Sequence, residues 1–181
     1  DDAFGINEEA REFRLTEARR VANYINIIGS VVGLWLFFFP RPYLLSILAA
    51  MAIPVAALGS VYLYRGLIRM DERKNSAFPS ILTGFLVPGG ALLVRAILDY
   101  EILDYMNLWI MVSVATICLV GLVLWGTREF RFSKWLDYLN TLAIVGIILC
   151  YTFGTYVISN CLFDKAEPEI FKSQVVDKEI S

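Results

Sequence analysis

The sequence contains no histidine. This absence removes the commonest general base, the commonest transition-metal ligand and the usual pH switch of proteins. It also excludes a Ser-His or Cys-His nucleophile among these residues. The three cysteines, at positions 118, 150 and 161, form no CxxC pair, so we expect no disulfide framework.

The familiar catalytic motifs are absent as well. The chain has no HExxH, no GxSxG, no GxxxxGK[ST] phosphate loop and no GxGxxG. Its formal net charge of −2 gives no strong attraction to nucleic acid. We therefore expect a protein that is not an enzyme, with no catalytic residue, no metal ligand and no cofactor.

The sequence is instead rich in apolar residues. Of its 181 residues 57% are hydrophobic and 19% are charged, and the mean hydropathy is +0.60. One soluble domain of this size cannot hide so many apolar side chains, because too much of its surface stays exposed. The apolar residues also form runs long enough to cross a bilayer, which takes roughly 20 residues per helix. The excess is therefore expected to face lipid.

Five such runs predict an all-α integral membrane protein, a bundle of about five transmembrane helices. The predicted spans are 21–39, 43–64, 79–98, 108–125 and 136–158. Residues 1–20 are predicted to form a polar and mainly helical arm, and residues 159–181 a polar tail. The weak alternation at the end of the tail is compatible with the start of a soluble domain. Since the chain begins without methionine, a fragment or a processed product is expected.

The third run, 79–98, has two interpretations because Pro88, Gly89 and Gly90 interrupt it. It is either a kinked full span or the tip of a re-entrant loop at 80–98, which would leave four spans. Each arm of such a loop would reach only about 12 Å, short of the bilayer midplane, whereas one helix would measure about 30 Å. Length therefore favours the full span.

Arg95 is the only charge well inside a predicted span, and an ionisable group there is a functional hypothesis by default. Together with Asp99, Pro88, Gly89 and Gly90 it forms the candidate polar site. Asp99 follows four residues later, so the two side chains can pair along one helix face. The long side chain of Arg95 can also reach the headgroups. The alternative is a role in binding an anion or lining an ion path.

Three carboxylates, Asp99, Glu101 and Asp104, follow this span. At about 100° per residue, Asp99 and Glu101 point roughly 160° apart on a helix, so the three do not converge. A solvated loop is the expected setting. An unwound backbone would leave the alternative of a weak divalent-cation site.

Small residues spaced four apart predict which helix faces pack in the bundle, because close approach drives association in lipid. The predicted packing residues are Gly29 and Gly33 in the first span, Ala52, Ala56 and Ser60 in the second, and Gly146, Cys150 and Gly154 in the fifth. The Gly29 to Gly33 motif is alternatively a dimerisation face.

Four polar side chains are predicted to lie at similar depth near the cytoplasmic face. They are Asn23 and Asn26 in the first span and Asn140 and Thr141 in the fifth. Such groups can hydrogen-bond across helices, so contacts between the first and fifth spans are expected, and the alternative is a polar vestibule.

Lysine and arginine concentrate on the side of a membrane that is not crossed. With five spans, eleven basic residues lie on one side and five on the other. The eleven are Arg11, Arg14, Arg19, Arg20, Arg65, Arg69, Arg73, Lys74, Arg128, Arg131 and Lys134. The five are Arg41, Arg95, Lys165, Lys172 and Lys178. We therefore expect a multi-pass plasma-membrane protein, typical of a bacterial inner membrane, with a cytoplasmic N-terminus and an extracytoplasmic C-terminus.

Three functional hypotheses follow from these patterns. The first is a non-enzymatic membrane scaffold or assembly subunit, whose partners are the lipid bilayer and another membrane protein or a second copy of the chain, but not nucleic acid. The second is a transporter or channel component for small solutes or ions, which uses the break at 88–90 and Arg95. The third is an enzyme that acts on lipid headgroups with Asp99, Glu101 and Asp104.

Overall fold

The computed structural model describes residues 8–64, 67–70, 78–102, 105–126 and 135–163. Within these ranges the chain forms helices joined by short connections and contains no strand. The helices are α1 (Glu8–Phe38), α2 (Tyr43–Leu63), α3 (Leu82–Asp99), α4 (Tyr105–Gly126) and α5 (Trp135–Phe163). All five are long and apolar enough to cross a bilayer. The prediction of an all-α bundle of about five spans is confirmed, and the chain is a multi-pass membrane protein.

The third span is a complete helix. α3 has 18 residues and continues without interruption through Pro88, Gly89 and Gly90. At a rise of about 1.5 Å per residue it is about 27 Å long, close to the thickness of the hydrocarbon core. The alternative of a re-entrant loop at 80–98 was therefore wrong, because no turn occurs at its proposed tip.

The predicted arm and first span form one helix. α1 runs for 31 residues from Glu8, with no break near Val21 where the arm was expected to meet the span. Its length of about 46 Å exceeds the hydrocarbon core by several turns. The first seven residues of the arm and the tail from 164 onward lie outside the described residues.

The central element of the bundle is α3, which packs against α1, α2 and α5, whereas α4 packs mainly against α5. α1 and α3 run in the same direction, since Gly29 lies beside Gly84 and Gly33 lies beside Pro88. Gly89 likewise faces Tyr151 of α5, while Leu92 and Leu93 face Gly154. Three parallel helices in the order α1, α3, α5 therefore form the framework of the protein.

The connection between α2 and α3 contributes to the core in its described part. Leu67, Ile68 and Met70 are buried there. The backbone N–H of Arg69 donates to the Pro79 carbonyl at 3.0 Å, and that of Ile81 donates to the Arg69 carbonyl at 3.0 Å. These two bonds close the connection directly before α3 begins.

Candidate functional site

Arg95 of the candidate polar site reaches from α3 to the end of α1. Its Nε donates to the Leu36 carbonyl oxygen at 3.0 Å, and its Nη2 donates to the Phe37 carbonyl oxygen at 2.7 Å. Both acceptors lie in the last turn of α1, where carbonyls have no intrahelical partner and the helix dipole is negative. The guanidinium therefore acts as a C-terminal cap that a neighbouring helix supplies.

The acidic member of the site, Asp99, joins this cap to a third helix. Its Oδ1 lies 3.5 Å from Nη1 of Arg95, as the spacing of four residues predicts. The Tyr43 hydroxyl at the start of α2 donates to Asp99 Oδ2 at 2.8 Å and lies 3.2 Å from the Tyr100 hydroxyl. Arg95 and Asp99 thus connect the ends of α1, α2 and α3.

The other carboxylates do not join this network in the described structure. Glu101 is exposed, and Asp104 lies outside the described residues. Among the described residues, no group of three or more Cys, Asp or Glu is placed to hold a metal ion.

Asn26 forms the corresponding contact at the opposite end of α3. Its Nδ2 donates to the Ser80 carbonyl at 2.7 Å, and its Oδ1 accepts from the Gly84 N–H at 2.8 Å. The Gly84 N–H is one of the first donors of α3, which lack intrahelical partners. The Ser80 hydroxyl accepts another of them, from Leu82 at 3.1 Å. The start of α3 is therefore capped by a side chain of α1.

The sequence predicted an interhelical contact of Asn26 but named the wrong partner. We expected Asn23 and Asn26 to meet Asn140 and Thr141 of the fifth span. In the structure α3 lies between α1 and α5, and Asn23 is exposed. The partners of Asn26 are backbone groups, and no side-chain pattern in the sequence marks those.

Glycines let α1 and α3 approach closely on both sides of the turn that Pro88 interrupts. Proline has no N–H, so the carbonyl of Gly84, four residues earlier, loses its helical donor. A Cβ atom on Gly29 would lie 2.6 Å from that carbonyl oxygen, and one on Gly33 would lie 2.8 Å from the Pro88 nitrogen. The predicted packing pair Gly29 and Gly33 therefore forms the surface of α1 that receives α3.

A second close contact lies on the other side of α3. A Cβ on Gly154 would lie 2.6 Å from the Leu93 nitrogen, and one on Gly89 would lie 3.3 Å from Cβ of Tyr151. A Cβ on Gly90, by contrast, would meet no atom within 4 Å. Pro88 and Gly89 thus serve helix packing, whereas the half-buried Gly90 has room for a side chain.

Not all of the remaining predicted packing residues lie inside the bundle. Ala52 and Ala56 are exposed, although Ser60 is buried and donates to the Ala57 carbonyl at 2.7 Å. Residues four apart are rotated by about 40° around the helix axis, so Ala52 and Ala56 face lipid although Ser60 faces the bundle. On α5, Cys150 is half-buried, and a Cβ on Gly146 would meet nothing within 4 Å.

Two polar contacts inside the bundle were not foreseen. The hydroxyl oxygens of Thr116 on α4 and Thr152 on α5 lie 2.7 Å apart, and both residues are buried. The Tyr151 hydroxyl donates to the Met51 carbonyl at 2.9 Å, three residues before the helix-interior Pro54 of α2. These hydroxyls lie in predominantly apolar spans, and a single sequence gives no signal for their partners.

Comparison of the chain with protein-family models, with curated proteins and with solved structures found no match. The described residues, with five helices long and apolar enough to cross a bilayer, define the class of protein, a multi-pass membrane protein.

Proposed function

We propose that this chain is a non-enzymatic membrane scaffold or assembly subunit. The observation that carries the proposal is the engagement of Arg95, the charge deepest in a predicted span. It contacts two carbonyls of α1 and the carboxylate of Asp99. A group that captures an anion or lines an ion path needs a free cationic head, whereas Arg95 directs Nε and Nη2 to two carbonyls of α1 and pairs Nη1 with Asp99.

The glycines of the central helix support the same proposal. Gly84 and Gly89 lie against neighbouring helices, and Pro88 lies against Gly33. Broken helices in transporters expose unwound backbone to a substrate cavity. Here α3 continues through the sequence that would supply such a break, so its special residues serve contact between helices.

The decisive experiment compares transport with partner contact. The purified chain is reconstituted into vesicles of neutral and anionic phospholipid, and potassium, chloride and proton fluxes are followed with fluorescent indicators. A scaffold predicts fluxes equal to those of protein-free vesicles. A flux that Arg95→Ala abolishes in a chain that still folds would favour a transporter or channel component instead.

Partner contact is tested in native membranes. A photo-crosslinking amino acid replaces one exposed residue at a time, Ile28 on α1, Val55 on α2 and Ile117 on α4, with the buried Ile148 as the control. A scaffold predicts a discrete protein adduct from at least one exposed position and none from Ile148. Adducts with lipid alone from all three positions would contradict the proposal.

We also propose that the N-terminus is cytoplasmic and that the C-terminus lies outside, in a plasma membrane that is the inner membrane if the source is bacterial. The distribution of eleven basic residues against five supports this orientation. Cys161 near the end of α5 is exposed and provides the test. A membrane-impermeant maleimide should label it in intact cells, whereas labelling only after lysis would reverse the orientation.

A further inference from the structure

The central helix is poorly suited to cross a membrane alone. α3 is the least apolar of the five candidate spans and, with 18 residues, also the shortest. It contains Pro88, three glycines and Arg95, and it ends at Asp99. Each of these features lowers the stability of an isolated helix in lipid, through weaker backbone bonding or a charge that must be solvated.

The structure shows that α1 contacts several of these features. Asn26 satisfies the N–H of Gly84 at the start of α3, and Gly29 lies against the carbonyl that Pro88 deprives of its donor. At the far end, the carbonyls of Leu36 and Phe37 receive two donors of Arg95. Two polar groups of α3, the Gly84 N–H and the Arg95 guanidinium, therefore find hydrogen-bond partners on α1, while Asp99 pairs with Arg95 and with Tyr43 of α2.

The order of the chain makes these contacts available when they are needed. α1 is synthesised before α3 and runs parallel to it, so its acceptors and glycines are in place when α3 reaches the membrane. The α5 contacts at Gly154 and Tyr151 form later, since α5 follows in the sequence. α1 is thus the first partner that α3 meets among those that stabilise it across its full length.

We infer that α3 crosses the membrane only in partnership with α1, so that the topology of the central span depends on the α1 surface formed by Asn26, Gly29 and Gly33. This inference concerns how the chain acquires its topology and is independent of the scaffold proposal.

The test uses the full chain with the three native cysteines replaced by serine. A single cysteine is placed at exposed Glu101, directly after α3, or at exposed Arg41, between α1 and α2. In a five-span protein these two positions lie on the same side, whichever way the protein is oriented. Labelling with a membrane-impermeant maleimide, before and after lysis, therefore reports on α3 through Glu101→Cys and on α1 through Arg41→Cys.

The variants alter α1 and leave the sequence of α3 unchanged. Asn26→Leu combined with Gly29→Leu removes the cap and fills the contact surface. We expect position 101 to move to the side opposite position 41 in most molecules. With both positions outside in the native chain, labelling of position 101 in intact cells should fall about tenfold relative to position 41, as the loss of buried hydrogen bonds predicts, and with both inside it should rise. Asn23→Leu combined with Val31→Leu is the matched control on the exposed side of α1, and it should leave the labelling of both positions unchanged.

A rescue variant separates failed crossing from general misfolding. Arg95→Leu with Asp99→Leu makes α3 apolar enough to insert without help, so it should restore the native labelling at position 101 in the Asn26→Leu, Gly29→Leu background. Unchanged labelling in that background without the rescue would overturn the inference. A change in labelling that the apolar α3 fails to reverse would overturn it as well, because the defect would then not lie in crossing.

Discussion

α3 and α4 follow each other in the sequence and have 18 and 22 residues, but α3 lies at the centre of the bundle and α4 at its edge. α4 is the most apolar of the five spans, yet only 22% of its most apolar stretch is buried inside the protein. α3 is the least apolar, and 39% of its corresponding stretch is buried, at the centre of the bundle. Hydrophobicity therefore predicts that a helix crosses the membrane, but not where it lies among the others.

The physical reason is that lipid tails are as apolar as leucine side chains. A span gains nothing from exchanging lipid for leucine, and it gains most where small residues allow close approach and polar groups find partners. α3 carries Gly84, Gly89 and Arg95, which are engaged by α1 and α5. α4 offers Gly121, and a Cβ there would meet no atom within 4 Å.

The largest expected effect comes from adding one methyl group to α1 at its contact with α3. Gly29→Ala places a Cβ 2.6 Å from the Gly84 carbonyl oxygen, and this backbone cannot move without displacing α3. We expect a loss of about 3 kcal/mol in the free energy of unfolding. The measurement is titration of the micelle-bound protein with a denaturing detergent, followed by tryptophan fluorescence.

Gly121→Ala is the matched control on α4. Its added Cβ meets no neighbour, and alanine favours the helix, so the free energy of unfolding should stay equal or rise by up to about 1 kcal/mol. Equal losses at both positions would break the comparison, because they would mean that close packing does not distinguish α3 from α4.

The second effect concerns the cap that α3 supplies to α1. Arg95→Met keeps the volume of the side chain but removes the donors to the Leu36 and Phe37 carbonyls. Because the Arg95 side chain is only 18% exposed, we expect a loss of about 2 kcal/mol in the same titration. The exposed Arg41→Met is the control and should change stability little. A similar change in both variants would show that Arg95 only snorkels to the headgroups.

The sequence predicted the spans well because each is a long apolar run between polar residues. It also predicted Gly29 and Gly33 as packing residues and the proximity of Arg95 to Asp99. The interhelical partners of Arg95 and Asn26 were beyond prediction, since they are backbone groups 54 to 59 residues away, which carry no sequence signature. The buried face of α2 was equally hidden, because its two serines are buried and the apolar residues on its two sides show no contrast.

This hidden face of α2 gives the third prediction. Ala57 is fully buried while the adjacent Ala56 is exposed, although small-residue spacing placed Ala56 inside the bundle. Ala57→Leu overfills a packed site and should cost about 1.5 kcal/mol, whereas Ala56→Leu should change stability by less than about 0.5 kcal/mol. Detergent titration of the two variants decides between the faces, and the reverse order of losses would restore the prediction from spacing.

The smallest effect tests what holds α4 to the bundle. The hydroxyl oxygens of Thr116 and Thr152 lie 2.7 Å apart, but each also bonds a carbonyl of its own helix, on Val112 and Ile148. Replacing one threonine by valine therefore leaves the other hydroxyl with an intrahelical acceptor. For this reason we expect a coupling of only about 0.6 kcal/mol in a double-mutant cycle of Thr116→Val and Thr152→Val, the average for polar contacts between membrane helices. A coupling near zero would mean that α4 is held to α5 by apolar packing alone. A coupling well above about 1.7 kcal/mol would mean that the hydroxyl pair is the main contact that holds α4 in the bundle, as the glycine contacts are for α3.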